Sequence, residues 1–396
     1  MRLPLCAYNL KSMTNAGVYI HIPFCRSRCS YCDFATGMYE SALAERYVTT
    51  VISEIDNWLE VNNPHRIDTI YFGGGTPSLL SPAQIELILK AVRSRFELVD
   101  TPEVTLEINP GDGGTSPASK DQNLRRLRDL GVNRASFGAQ TFDDRELKQL
   151  GRAHDSDDIR VTFQQLRDAG FENINFDLIA GLPGQFVRGW RRNLDEALKL
   201  RPEHLSLYLL DVHEGTPLAD QINRGMRPRP DDDVAAEMYA IMIEQVCAAG
   251  YEHYEISNFC LTGFESKHNT KYWCGAPYYG FGCSAHSFDG HRRRWANERD
   301  ALKYVGMIEN AKSPVVERTD LQEEDARSES IFLGMRLMQG IDLRSYRLRF
   351  GDDLRDRYDR ELSRLIEAGL IEIDDQVLRL TTRGALLSNE VFATLG

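Results

Sequence analysis

Six short apolar runs rich in β-branched and aromatic residues punctuate the first half of the chain: VYIHIPF from Val18, TIYFGGG from Thr69, EVTLEINP from Glu103, RASFGAQ from Arg134, NINFDLIAGLP from Asn173 and HLSLYLLD from His204. Their length and composition predict strands. Between them, apolar positions recur at helical spacing. Leu43, Tyr47, Val51, Ile55 and Leu59 follow one another at fours and give a helix one buried stripe. In SPAQIELILKAV, Ser81 stands as N-cap, Pro82 at the first helical position and Gln84 at the capping-box position. Helical patterns near 121–130, 157–169, 188–199 and 233–249 complete the alternation, with Gly131, Gly170 and Gly250 where helices stop.

Strands that alternate with helices make parallel βα units, and six consecutive units predict an α/β fold, a partial TIM-like (β/α)6 barrel over residues 17–250. Residues 1–16 read as an N-terminal extension and 251–324 as a connecting region. From about residue 325 the pattern changes to helices, ARSESIFLGMRLM and DRELSRLIEAGL, then two short strands and a TTRG helix start, a winged-helix-like layout for 325–396. In a βα barrel the working residues lie at the C-terminal strand ends. There this sequence places Cys25 after strand one, Gly73, Gly74 and Gly75 after strand two, Glu107 and Asn109 after strand three and Gln140 after strand four, with Asp177 on strand five.

Composition narrows the function classes. A hydrophobic content of 42% and a charged content of 27% are those of a globular chain. The net charge of -12 and the acids of ELSRLIEAGLIEIDD argue against nucleic-acid binding, which takes surplus Lys and Arg. No long apolar run or signal-type start is present, so a cytoplasmic location is expected. Thiols stay reduced there, and clustered cysteines then point to metal or redox chemistry.

Cys25, Cys29 and Cys32 form such a cluster, CxxxCxxC. Three thiolates can occupy three corners of a 4Fe-4S cubane and leave the fourth iron open; the alternatives are a zinc site completed by a distant His or Cys, or three surface thiols. The spacing after a first barrel strand resembles the radical S-adenosylmethionine (SAM) superfamily, in which SAM chelates the open iron, and Tyr31 fits the superfamily's aromatic before the last cysteine. YFGGGTPS from Tyr71 supplies a strand end without side chains, where backbone approaches a ligand closely. Together with YIHIPFC, LEINP, FGAQTFDDRELKQLGRAH and NFDLIAGLPGQ, it looks like the group that holds oxygen-independent coproporphyrinogen III dehydrogenase and the HemW-type heme chaperones. That resemblance implies a radical SAM barrel, a cluster on Cys25, Cys29 and Cys32, and SAM contacts from Tyr19, Tyr31, Gly74, Gly75, Thr76, Glu107, Gln140, Arg152 and Asp177. Read as residues alone, Glu107 and Asp177 are equally core salt-bridge acids, and Arg152 a helix-end cap.

Two features separate the relatives. The dehydrogenase continues its motif as CxxxCxxCxC, whereas here Asp33 and Phe34 follow Cys32. HNTKYW, His268 to Trp273, fits the HNxxYW pattern of the chaperone branch. The resemblance therefore implies a heme chaperone that carries the cluster and SAM and passes heme to acceptor hemoproteins such as respiratory enzymes, as monomer or homodimer, with peripheral membrane association in view. His268, with Tyr272 and Trp273, is its expected heme contact; a hydrogen-bonded loop histidine is the structural alternative, and His253, Cys260, Cys274, Cys283 and His286 are further candidate ligands. Arg292, Arg293 and Arg294 stand either as propionate partners or as a solvated loop. The competing reading is the dehydrogenase itself.

Overall fold

The computed structural model describes residues 15–59, 61, 64–111 and 117–395, so most of the N-terminal extension lies outside the described residues. All six expected strands form: β1 (Ala16–Ile22), β2 (Ile67–Gly74), β3 (Leu98–Ile108), β4 (Arg134–Gln140), β5 (Ile174–Ala180) and β6 (His204–Leu209). Each pairs in parallel with the next. Burial along β4 and β5 is nearly continuous, as expected where helices cover one face and the barrel interior the other. The helices between them follow the predicted patterns. Ser81 accepts the Gln84 N–H at 3.3 Å while Gln84 Oε1 accepts the Ser81 N–H at 2.8 Å, closing the expected capping box. Fully buried Trp190 donates Nε1 to the Met238 carbonyl at 3.1 Å and ties the Val187–Leu200 helix to Asp232–Ala248.

Residues 251–324 extend this sheet at both edges. Strand β7 (Glu252–Glu255) forms the outer edge, antiparallel to β8 (Asn258–Cys260), which in turn pairs antiparallel with β6. On the other side, β9 (Tyr278–Phe281) pairs in parallel with β1, and β10 (His286–Phe288), β11 (Arg293–Asn297) and β12 (Val315–Asp320) continue antiparallel. The result is one 12-stranded sheet in which β1 and β6 do not meet, a barrel open along one side. A short helix, Lys267–Trp273, packs against the N-terminal ends of β1 and β2. Glu103 on β3 accepts the main-chain N–H groups of Lys267 and His268 at 3.2 and 3.1 Å, and Lys271 Nζ lies 2.7 Å from Asp68 Oδ1. The helix thereby closes the barrel floor.

The C-terminal region docks on the β7–β8 edge. Fully buried Glu255 receives Arg336, and Met338 N–H donates to the Tyr254 carbonyl at 3.0 Å. Beyond it, strands β13 (Ile341–Asp342), β14 (Ile371–Ile373) and β15 (Val377–Leu380) form a small antiparallel sheet with β15 central, flanked by short helices.

Replacing Lys271 by Ala leaves Asp68 without its cation under the floor helix. The expected loss is about 2–3 kcal/mol of unfolding free energy, read from urea denaturation; a loss under about 0.5 kcal/mol contradicts the role given to this pair.

Candidate functional site

The cysteine loop leaves β1 and is fixed at several points. Phe24–Cys25 pairs with Gly37–Met38, and the Tyr39 N–H donates to the Cys25 carbonyl at 2.9 Å, which closes the base of the loop. Midway, the Ser30 N–H donates to the Leu150 carbonyl at 2.9 Å, and the Ser30 carbonyl accepts the Leu218 N–H at 2.8 Å. These bonds clamp the loop between the end of the Asp144–Leu150 helix and the start of Pro217–Asn223. All three thiols are partly buried and line a cavity of about 430 Å³ at the C-terminal strand ends. Burial pushes the Cys25 and Cys32 thiols up, with the neighbouring cysteines adding to it, so both stay protonated until a cation offsets the lost solvation.

A polar network joins the cysteines to the barrel. Arg152 donates Nη1 to Cys29 Sγ at 3.3 Å, and Nη2 to Asn109 Oδ1 at 2.7 Å and the Gly138 carbonyl at 3.0 Å. Asn109 donates to Thr76 Oγ1 at 2.7 Å, and Thr76 donates to Cys25 Sγ at 3.6 Å. A guanidinium that touches one thiol thus connects to a second through two side chains. Among the described residues, no three His, Cys, Asp or Glu side chains gather closely enough to hold a single metal ion. A cubane spreads three thiolates over three irons. Soft thiols beside a guanidinium are a donor set that suits an iron–sulfur cluster.

Next to the cysteines runs a ledge that admits no side chain. Gly74 has φ +114°, and a Cβ there would fall 2.5 Å from the His21 ring; at Gly75 it would fall 2.7 Å from the Phe24 carbonyl oxygen. Below the ledge, Glu107 accepts from Tyr71 Oη at 2.9 Å and from the Gly74 N–H at 3.0 Å. Burial, with nearby Asp177 adding to it, pushes Glu107 up to about 7, and burial likewise raises Asp177, which accepts from Asn175 Nδ2 at 2.8 Å. Gln140 adopts φ +58°, a strained setting for a non-glycine residue, and among the described residues its buried Oε1 has no partner. Tyr31 packs on Leu150, Ile179 and Leu182 and faces the same cavity.

The structure therefore gathers Tyr31, Gly74, Gly75, Thr76, Glu107, Gln140, Arg152, Asp177 and the three cysteines around one cavity. Tyr19 is not among its lining residues. Its ring lies one layer deeper, stacked on Tyr71 at 6.1 Å, with its hydroxyl 3.2 Å from His21 Nδ1. Of the HNxxYW residues, Asn269 lines the cavity, whereas His268, Tyr272 and Trp273 lie elsewhere. His268 is 1% exposed, with Nδ1 2.9 Å from Thr69 Oγ1 and Nε2 2.8 Å from Tyr272 Oη. Burial pulls it down to about 3, so it is neutral and both ring nitrogens are engaged. The expected heme contacts are therefore packed apart from the cysteines: His268 and Tyr272 hold each other in the floor, and Arg336 covers the Trp273 ring at 4.4 Å.

The sequence pattern of the radical SAM superfamily matches residues 19–197, and that of the HemN C-terminal domain matches 321–387. Over 94% of this chain and 97% of the relative, the sequence is 36% identical to heme chaperone HemW of Bacillus subtilis (strain 168). It is 34% identical to heme chaperone HemW of Mycobacterium tuberculosis (strain ATCC 25618 / H37Rv) over 96% and 94% of the two chains. The chain belongs to the HemW family. Its fold is that of coproporphyrinogen III oxidase (HemN) from Escherichia coli, with a TM-score of 0.83 over 98% of this chain and 92% of that one at 22% identity. HemW membership makes the radical SAM barrel the setting of the cavity.

Sequence reasoning missed several lining residues of this HemW-family site. Arg134 is 1% exposed and His154 is drawn down to about 3 by burial; among the described residues, Arg134 Nε and His154 Nε2 have no hydrogen-bond partner. Both stand in motifs quoted above, RASFGAQ and LGRAH, but single-residue reading gave them no role. Ser136, Asn175 and Ser206 point into the cavity from alternate strand positions, a signal visible once β4 to β6 are known to be parallel.

Glu107 yields a pH test in protein stripped of cofactors. Its proton is held more tightly in the folded chain than at the ordinary value of 4.5, so this stabilisation is complete at low pH and is lost as pH rises toward about 7. Glu107→Gln keeps a neutral side chain, and its stability relative to wild type should rise between about pH 5 and 7 and then level off. Urea midpoints whose difference does not move with pH contradict this assignment.

Proposed function

We propose that this chain binds heme and delivers it to acceptor hemoproteins, and that it carries a 4Fe-4S cluster on Cys25, Cys29 and Cys32 with SAM on the cluster's open iron. The observation behind this reading is the near end-to-end similarity to HemW heme chaperones. The SAM contacts we assign are the Gly74–Gly75 ledge, Thr76, Tyr31, Glu107, Gln140, Arg152 and Asp177, which surround the thiols in one cavity. Arg152 meets a carboxylate, Glu107 accepts from an ammonium and Asp177 from hydroxyls, each in the donor or acceptor role its chemistry permits. When bound, the cluster and SAM supply one-electron chemistry. The chain's own part is to exclude bulk from the ledge, hold the thiols and present charge of the right sign.

Decarboxylation of coproporphyrinogen III is the less favoured reading. Phe34, 63% exposed, occupies the position of that enzyme's further cysteine. Of possible acceptors, we favour respiratory hemoproteins met from the cytoplasm through peripheral contact with the membrane, the chain acting as monomer or homodimer without nucleic acid. In support, none of the described helices is long and apolar enough to cross a membrane, and the net charge is -12.

Anaerobic reconstitution should load about four irons per chain, and each of Cys25→Ala, Cys29→Ala and Cys32→Ala should abolish the cluster absorbance. The same wild-type preparation should give a saturable Soret band with hemin and form no protoporphyrinogen from coproporphyrinogen III. Turnover of that substrate, or a cluster that survives all three substitutions together, overturns the reading.

A further inference from the structure

The Asp144–Leu150 helix is shared by the cysteine loop and a groove on the outside of the barrel. Its Leu150 carbonyl receives the Ser30 N–H, and the preceding Gln149 carbonyl receives Arg227 at 2.7 Å. The groove holds about 1000 Å³ between this helix, the loop after β5 and the turn at Met226–Pro228. Two of the most exposed large apolar side chains among the described residues line it, Phe186 at 79% and Met226 at 70% exposure.

Arg145, Arg188, Arg192 and Arg227 line the groove as well. Arg145 lies 3.9 Å from Asp143, but among the described residues neither Arg188 nor Arg192 makes a side-chain hydrogen bond or ion pair. Arg188 stands in the first turn of the Val187–Leu200 helix, where the macrodipole favours acids and a cation costs stability. The groove's two carboxylates are committed elsewhere. Asp143 accepts the N–H groups of Arg145 and Glu146 as a helix cap, and Glu146 accepts from Gln185 Nε2 at 3.0 Å and from Thr141. In a chain of net charge -12, these guanidinium groups make a local reversal of sign around an apolar pair. On such a face an acidic protein can settle despite the repulsion of the whole.

We propose that this groove docks a small acidic protein that carries one electron at a time, with carboxylates of the carrier on Arg188 and Arg192 and an apolar side chain against Phe186 and Met226; the assignment rests on the 4Fe-4S reading above. Two observations select this occupant. The sign of the groove asks for an acidic surface, and Gln149 on the groove and Leu150 on the cysteine loop are consecutive residues, so the docking face and the cluster-bearing loop meet across one helix end. An electron carrier must arrive, deliver and leave, and contacts of that kind are small, transient and steered by opposite charge. The exchange balances simply: the carrier's reduced centre loses one electron and the cluster gains it, with no bond made or broken.

The test uses the cluster-loaded full chain and, as probe, an acidic plant-type 2Fe-2S ferredoxin. Binding is read with oxidised ferredoxin by isothermal titration at low and high salt, which needs no electron transfer; reduction is then followed by anaerobic stopped flow with ferredoxin reduced beforehand. Wild type should bind, lose affinity as salt rises, and be reduced. Arg188→Glu with Arg192→Glu should weaken binding and slow reduction by about tenfold or more. Arg360→Glu with Arg364→Glu makes the same change of charge on the Asp359–Glu367 helix and should leave both within about twofold of wild type. Retained cluster absorbance and reduction by dithionite verify that each variant is folded and loaded. If wild type takes up no cluster, the cluster reading falls and the docking assignment with it. If the cluster forms and dithionite reduces it, three results overturn the docking assignment alone: ferredoxin that does not reduce wild type, groove variants that match wild type, or an equal loss in the Arg360 and Arg364 variant. Groove variants that accept ferredoxin normally but lose binding to phosphatidylserine vesicles overturn it as well, and make the groove a membrane surface.

Discussion

The main-chain bonds that clamp Ser30 between Leu150 and Leu218 decide where three thiols stand, and the rest of the site is arranged around that decision. A surface loop of this length has many conformations of similar energy, and ordering it costs about 1–2 kcal/mol per residue. The clamp meets that cost with backbone groups from two helices that are themselves fixed by packing on the barrel. Arg152 then touches Cys29 and, through Asn109 and Thr76, reaches Cys25. Three thiols are thus held in place, and among the described residues no fourth ligand-type side chain gathers with them.

The barrel interior is graded from floor to mouth. At the floor, His268, Tyr272, Tyr71 and Tyr19 form a neutral aromatic cluster whose ring nitrogens and hydroxyls bond to one another and to Thr69, His21 and Glu107. At the mouth, Glu107 and Asp177 are both raised by burial, a setting in which a cationic ligand recovers what desolvation cost the carboxylates. A sulfonium that also bears an ammonium group has that charge. The HNxxYW helix accordingly supports the cavity from beneath, with Asn269 as its one residue on the cavity lining.

Much of this was legible in the chain. The six strands and the helices between them follow from period and caps, because a parallel sheet covered on both faces demands continuous apolar runs. The rim residues follow from their places at strand ends. What local pattern does not carry is pairing across long separations. Strand β9 joins β1 across more than two hundred residues, and nothing in YYGF announces a parallel partner. The burial of His268 was hidden for the same reason: its partners Thr69 and Glu103 come from distant strands, and a polar, aromatic hexapeptide looks alike whether it lines a pocket or plugs a floor.

The claim on which the account turns is that one iron of the cluster is left for an outside ligand. Electron paramagnetic resonance of the reconstituted, reduced protein, recorded with and without SAM, tests it directly. The account predicts the signal of a single reduced 4Fe-4S cluster whose resonance positions move when SAM is added. Spectra that are identical with and without SAM, or a protein that takes up one zinc in place of iron, contradict it.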